Sequence, residues 1–137
     1  MTVGFTCGAF DLFHAGHIAM LQEAKSVCDY LIVGIKVNPA IDQSGKNKPI
    51  QSIVERQIQV RACKYVDETI VYETEKDLMD LLTILDIDIR IVGQDHANKP
   101  EPSPRDEICQ RKGIEIYCNK RDHRFSTTEL RERIKNA

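Results

Sequence analysis

The feature that most constrains the fold of this chain is a fivefold alternation of short apolar runs with helical patterns. Val3 to Thr6, Tyr30 to Val37, Thr69 to Tyr72, Ile89 to Val92 and Ile114 to Cys118 read as strands. Between and after them, Ile18 to Cys28, Ser52 to Tyr65, Glu75 to Leu85, Arg105 to Lys112 and Ser126 to Lys135 carry helical spacing. Strands such as Tyr30 to Val37 are apolar almost throughout, which suits burial on both sides. The order β-α-β-α predicts an α/β fold, a five-stranded, mainly parallel sheet with helices on both faces. At 137 residues the chain is the size of one domain, and no internal repeat divides it, so residues 1–137 are expected to form a single unit.

Within that frame the stretch Cys7 to His17, C-G-A-F-D-L-F-H-A-G-H, stands between the end of the first strand and the start of the first helix. In open α/β sheets ligands bind at the carboxyl ends of strands, and a helix start offers unpaired N–H groups to phosphate. Gly8 and Gly16 are expected to let the backbone turn and approach a ligand closely. His14 and His17, three apart, can project to one side. Fixed donors around a phosphorus that gains charge are what phosphoryl or nucleotidyl transfer requires. An isolated histidine at a helix start is ordinarily a satisfied polar residue, but two histidines with Asp11 and both glycines form a constellation.

Composition excludes several classes. Net charge is −2, so nothing global points to nucleic acid. No apolar run approaches membrane-span length, and no basic leader precedes the first strand, so a cytoplasmic protein without a membrane partner is expected. The five cysteines are odd in number and never spaced C-x-x-C, which argues against a zinc site or disulfide framework.

Gly8-x-Phe10-Asp11-x-x-His14-x-Gly16-His17 resembles the signature of the cytidylyltransferase branch of the HxGH nucleotidyltransferases. Ser126-Thr127-Thr128, opening the last helix, resembles their S-T/S-T motif. Arg56 followed by Lys64-Tyr65-Val66-Asp67-Glu68 is similar to the R…RYVDE segment of glycerol-3-phosphate cytidylyltransferases. The resemblance spans about residues 3 to 135 and implies a Rossmann-like fold. The activity it implies is cytidylyl transfer from CTP to a small phosphorylated alcohol, with Mg²⁺ as cofactor and pyrophosphate as product.

The resemblance also assigns roles. His14, His17 and a loop lysine, Lys46 in preference to Lys48, would stabilise the transferring phosphates. Gly8, Ala9, Phe10, Asp11 and Gly16 would line the nucleotide loop, Asp95 would meet the ribose, and Arg121 would reach the nucleotide. Ser126, Thr127 and Thr128 would hold triphosphate oxygens, although Ser126 with Glu129 also reads as a capping box. Arg56 would touch the acceptor phosphate; its alternative is a surface ion pair. Asp11 would orient the loop, help place a metal, or serve as an ordinary turn aspartate. The long Asn38 to Gln51 segment reads as a flexible loop. The family commonly pairs, so a homodimer is expected, with Lys64 to Glu68 near its contact.

Several residues depart from the pattern. Ala9 stands where a small polar residue is usual. The proline-rich segment after Asp95 is long, and His123, Arg124 and Phe125 add bulk near where the acceptor should sit. Arg131, giving S-T-T-x-x-R, resembles adenylyl-transferring relatives, so ATP with a sugar phosphate or mononucleotide is the alternative donor and acceptor. A non-catalytic nucleotide sensor, or a metal site built from His14, His17, His96 and His123, are the readings from other classes.

Overall fold

The structure is a computed structural model, described here for residues 1–94, 96, 102–120 and 123–137. Five strands, β1 (Val3–Gly8), β2 (Tyr30–Lys36), β3 (Glu68–Tyr72), β4 (Ile89–Val92) and β5 (Glu115–Cys118), form one sheet in the order β3-β2-β1-β4-β5. Every pairing is parallel, with Val3 opposite Tyr30 and Gly4 opposite Ile89 fixing the register of the centre. The helices are α1 (Ala15–Ser26), α2 (Ile53–Arg61), α3 (Glu75–Ile84), α4 (Pro104–Lys112) and α5 (Thr127–Lys135). The expected α/β, Rossmann-like architecture is therefore the observed one.

Two cores flank the sheet, as a parallel sheet covered on both faces demands. Leu21 and Ala24 of α1 and Val60 of α2 pack on Leu31, Val33 and Ile35. Leu78 and Leu82 of α3 and Ile108 and Cys109 of α4 pack with Phe5 and Ile32. Strand order reverses beside β1, whose neighbours β2 and β4 belong to successive halves of the chain. The carboxyl ends of β1 and β4 consequently open a crevice at the position where such sheets bind ligands.

The helix starts follow the sequence closely. Ser52, Thr74 and Ser103 form reciprocal capping boxes with Glu55, Asp77 and Asp106. Gly113, with φ of 73°, ends α4 in the left-handed conformation expected of a C-terminal glycine. On α2 two apolar side chains face outward and a charged one inward: Val54 and Ile58 are 58% and 64% exposed, whereas Arg56 is 2% exposed. An arginine wins the buried position because its long stem reaches main-chain carbonyls at the strand ends, as described below. Among the described residues, no helix is long and apolar enough to cross a membrane.

Candidate functional site

The loop between β1 and α1 is held by its own side chains. His14 is the N-cap of α1: its Nδ1 accepts the Gly16 N–H at 3.0 Å, and its backbone N–H donates to His17 Nδ1 at 3.1 Å. A ring nitrogen that accepts carries no proton, so in each neutral imidazole the hydrogen sits on Nε2. His14 Nε2 lies 3.1 Å from Thr127 Oγ1, and the two imidazole centroids are 3.9 Å apart. The loop therefore brings both rings to the first residue of α5, across 113 residues of sequence.

His17 is stacked on Phe13 and flanked by Phe10, with centroids 5.5 Å away in each case. Burial, with a smaller contribution from neighbouring His14, lowers its pKa to about 4 against a weak opposing pull from Asp11. It is thus a neutral hydrogen-bond donor at physiological pH, suited to charge that develops during reaction rather than to a permanent ion pair.

The glycines act differently from expectation. The left-handed residues of the loop are Phe10 (φ 53°) and Leu12 (φ 50°), not Gly8 or Gly16. Such conformations cost about 1–2 kcal/mol each for a residue with a side chain, so the loop must be held by outside contacts. Asp11, between the two, supplies them: its carboxylate accepts from the Ile50 and Gln51 N–H groups at 2.8 and 2.9 Å and from Arg131 Nη2 at 3.0 Å. Leu12 N–H also donates to Gln51 Oε1 at 2.8 Å. Gly16 matters for close approach, since a Cβ there would lie 2.8 Å from both the His14 ring and the Phe125 carbonyl. Gly8 lies at the end of β1, where an added Cβ would meet only the Phe10 ring at 3.4 Å.

Two cavities meet at this loop. One, of about 290 Å³, is lined by His14, Gly16, Met20, Gly93, Asn119, His123 and the 125–127 segment. The other, of about 360 Å³, is lined by Gly8, Ala9, Phe10, Asp11, Lys36, Lys46, Tyr72, Arg105, Thr128 and Arg131. His17 and Thr127 belong to both. Lys46 lies in the second cavity, while Lys48 lines an adjoining groove with Ile50 and Ile134 that shares Asn47, Thr128 and Arg131 with that cavity. Ser126 caps α5 by accepting from Glu129 N–H at 3.1 Å. His123 and Phe125 line the cavity of Gly93 and Asn119, on the other side of His17 from Lys46.

Arg56 does not project into either cavity. Its Nε donates to Gln51 O, Nη1 to Ala9 O and Lys36 O, and Nη2 to Val37 O, at 2.6–3.2 Å. Four of its five N–H donors are thus taken by main-chain carbonyls, and in this conformation it clamps the carboxyl ends of β1 and β2 instead of presenting itself to a phosphate. The expected positions of Asp95 and Arg121 lie outside the described residues. The Asn38 to Gln51 segment is more ordered than a free loop: a 3₁₀ turn at Pro39–Ile41 is capped by Asn38, and Asp11 pins its far end.

Sequence reasoning missed an ion network beneath the second cavity. Lys36, 1% exposed, donates to Asp42 Oδ1 at 2.5 Å, Glu75 Oε1 at 2.7 Å and Gln43 Oε1 at 3.2 Å. Arg105 binds the other oxygen of Glu75. Burial pushes the Glu75 carboxyl up, but the bonds from Arg105 and Lys36 outweigh it and hold the pKa below the ordinary range. A lysine ending an apolar strand was the available signal, because it implies a paired partner; which carboxylates it meets depends on helix placement.

Among the described residues, no group of three or more histidines, cysteines or carboxylates is arranged to hold a metal. His96 instead bonds Asp106 at 2.7 Å, away from His14 and His17. The oxygens of Asp11 are occupied by the contacts above. These residues do not form a protein cage for Mg²⁺, so the ion would have to be carried largely by the phosphates and water.

A cytidylyltransferase-like family model matches residues 5–133. Ethanolamine-phosphate cytidylyltransferase of Dictyostelium discoideum is 36% identical over 136 residues, covering 93% of this chain and 36% of that protein. The bifunctional protein HldE of Rhodopseudomonas palustris is 31% identical over 138 residues, covering 100% of this chain and 28% of HldE. The chain spans between 20% and 36% of the length of the curated relatives it matches. A lipopolysaccharide core biosynthesis protein of Thermoplasma volcanium shares the fold, with a TM-score of 0.70 and 23% identity over 92% of this chain and 99% of that one.

Proposed function

The chain belongs to the cytidylyltransferase-like family, and from that premise we propose that it transfers a cytidylyl group from CTP to a small phosphorylated alcohol resembling glycerol 3-phosphate, releasing pyrophosphate. The observation that carries this reading is the 3.1 Å approach of His14 Nε2 to Thr127 Oγ1, with His17 beside it, between two cavities that share His17 and Thr127. A reaction joining two substrates needs such a meeting point, with donors fixed where charge develops.

In this reading the nucleoside occupies the Gly93 side and the acceptor the Lys36 side. The acceptor phosphate, with a second pKa near ~6, is already a dianion at neutral pH and needs no general base. One of its oxygens attacks the α-phosphorus in line; a new P–O bond forms as the bond from the α-phosphorus to the bridging oxygen breaks, and pyrophosphate leaves with that electron pair. His14 and His17 donate from Nε2 to the α-phosphate and the leaving group. Thr127, Thr128, Lys46 and Arg131 share the remaining charge. Mg²⁺, as a partner of the triphosphate, would supply further charge neutralisation when bound. Homodimerisation belongs to the same proposal, to be read by sedimentation velocity.

Two observations favour variants of this reading. The ethanolamine-phosphate cytidylyltransferases among the relatives make phosphoethanolamine a candidate acceptor. The S-T-T-x-x-R spacing that Arg131 completes, which resembles adenylyl-transferring relatives, keeps ATP as a candidate donor. The test is a pyrophosphate-release screen crossing CTP and ATP with glycerol phosphate, phosphoethanolamine, sugar phosphates and mononucleotides. Release with CTP and a phosphorylated alcohol supports the proposal, and His14→Ala should then lower turnover roughly 10²- to 10³-fold. Nucleotide binding without release in any combination would leave a sensor, and near-normal turnover of His14→Ala would remove the histidine from the mechanism.

A further inference from the structure

The second cavity is lined by four cationic side chains, Lys36, Lys46, Arg105 and Arg131, and by one carboxylate, Asp11. That carboxylate is already occupied by two backbone N–H groups and by Arg131. Asp42 and Glu75 bond Lys36 and Arg105 from behind and lie outside the cavity wall. Each of these ion pairs therefore turns its positive partner toward the ligand space and its negative partner away.

Arg105 is the cation in that wall built to grip an anion. Its side chain is 20% exposed, and its Nε and Nη2 both donate to one oxygen of Glu75. Three of its five N–H donors, including both on Nη1, have no partner among the described residues. A guanidinium fixed along one edge and open along the other is preorganised to take a carboxylate by two parallel bonds. Lys36 cannot act this way, because Asp42, Gln43 and Glu75 occupy all three of its donors. Its part is to add charge and to hold Glu75 in place. Tyr72 lines the same wall, and burial, reinforced by neighbouring Cys7, raises its pKa and keeps the phenol neutral.

Position within the cavity says which end of a ligand Arg105 meets. His17 and Thr127 belong to both cavities, whereas Lys36, Tyr72 and Arg105 line the second alone. An acceptor with its phosphate at His17 and Thr127 extends toward Arg105. An ammonium group at that far end would face like charge with no carboxylate in the wall to receive it, which is a cost in a partly buried site.

We propose that the acceptor of this chain is a phosphorylated alcohol carrying a carboxylate at its far end, and that Arg105 is the residue that selects it. The inference rests on the nucleotidyltransferase reading for the placement of the phosphate, and it sets this chain apart from the relatives named for ethanolamine phosphate. Isothermal titration calorimetry tests it without turnover. Wild type, Arg105→Met and Arg105→Lys would be titrated with 3-phosphoglycerate, glycerol 3-phosphate and phosphoethanolamine, in the presence of a non-hydrolysable CTP analogue whose own binding is the control for folding. On the scale of a charge-assisted contact, 3-phosphoglycerate should bind wild type about tenfold or more tighter than phosphoethanolamine. Arg105→Met should erase that preference by weakening 3-phosphoglycerate, while the analogue binds as before. Arg105→Lys, which keeps the charge without the fork, should recover part of it.

A preference of wild type for phosphoethanolamine, no binding of any of the three, or equal weakening of all three by Arg105→Met would overturn the assignment. Arg105-dependent selection of 3-phosphoglycerate, in a protein releasing no pyrophosphate with CTP or ATP, would uphold it and overturn the transfer reaction. Pyrophosphate released most readily with phosphoethanolamine would do the reverse.

Discussion

Replacing Arg56 with methionine separates an architectural arginine from a substrate ligand. Arg56 is 2% exposed and donates to the carbonyls of Ala9, Lys36, Val37 and Gln51. Hydrogen bonds from a charged donor are worth about 1.5–3 kcal/mol each, so four total about 6 kcal/mol at the lower bound. Methionine recovers part of this by burying an apolar stem of similar length and by removing a charge that was costly to desolvate. A net loss of about 3–4 kcal/mol remains. Unfolding entropy near ~2.1 cal/mol/K per residue gives about 0.29 kcal/mol/K for 137 residues. The midpoint of thermal unfolding, followed by circular dichroism without any ligand, should therefore fall about 10–14 °C. Arg56→Lys should recover little, because an ammonium cannot span four carbonyls set around a planar fork. A methionine variant that melts within about 3 °C of wild type, yet shows a raised KM for the acceptor, would refute the clamp and restore Arg56 as a phosphate ligand.

Three further expectations follow from the same geometry. His17 has its folded pKa lowered from 6.5 to about 4, so the unfolded chain takes up the proton first as pH falls. Stability associated with the neutral imidazole is complete above pH 6.5 and is lost between there and about pH 4, by at most about 3 kcal/mol. His17→Asn should flatten that part of the urea-denaturation profile, and an unchanged slope would contradict the burial argument. Lys46→Met should reduce kcat/KM by about tenfold or more while Lys48→Met leaves it within about twofold, because only Lys46 lines the cavity with Lys36 and Arg105; a Lys46→Met variant within about twofold of wild type, or a Lys48→Met loss as large as that of Lys46→Met, would refute the distinction. Arg105→Met, which leaves one oxygen of half-buried Glu75 without its arginine, should raise the acceptor KM while the KM for nucleotide holds, and steady-state kinetics with either substrate varied will tell.

The alternation of strands and helices, the cap at Ser126 and the stop at Gly113 were legible in the chain, because each depends on neighbours a few residues away; the caps at Ser52, Thr74 and Ser103, equally local, appeared only with the structure. So was the pairing of a histidine loop with a hydroxyl-bearing helix start, since the family resemblance carries both motifs together. Three things were not legible. The strained turn fell on Phe10 and Leu12, since Asp11 is bonded by Ile50, Gln51 and Arg131, which are 39 to 120 residues distant. Arg56 turned inward because strand ends from two parts of the sheet present their carbonyls to it. Lys36 is satisfied by two loop residues, Asp42 and Gln43, and a helix start, Glu75, that meet only when α3 docks. Local chemistry writes elements and motifs into the sequence; burial, and the partner each buried charge finds, depend on distances that close only when the sheet assembles.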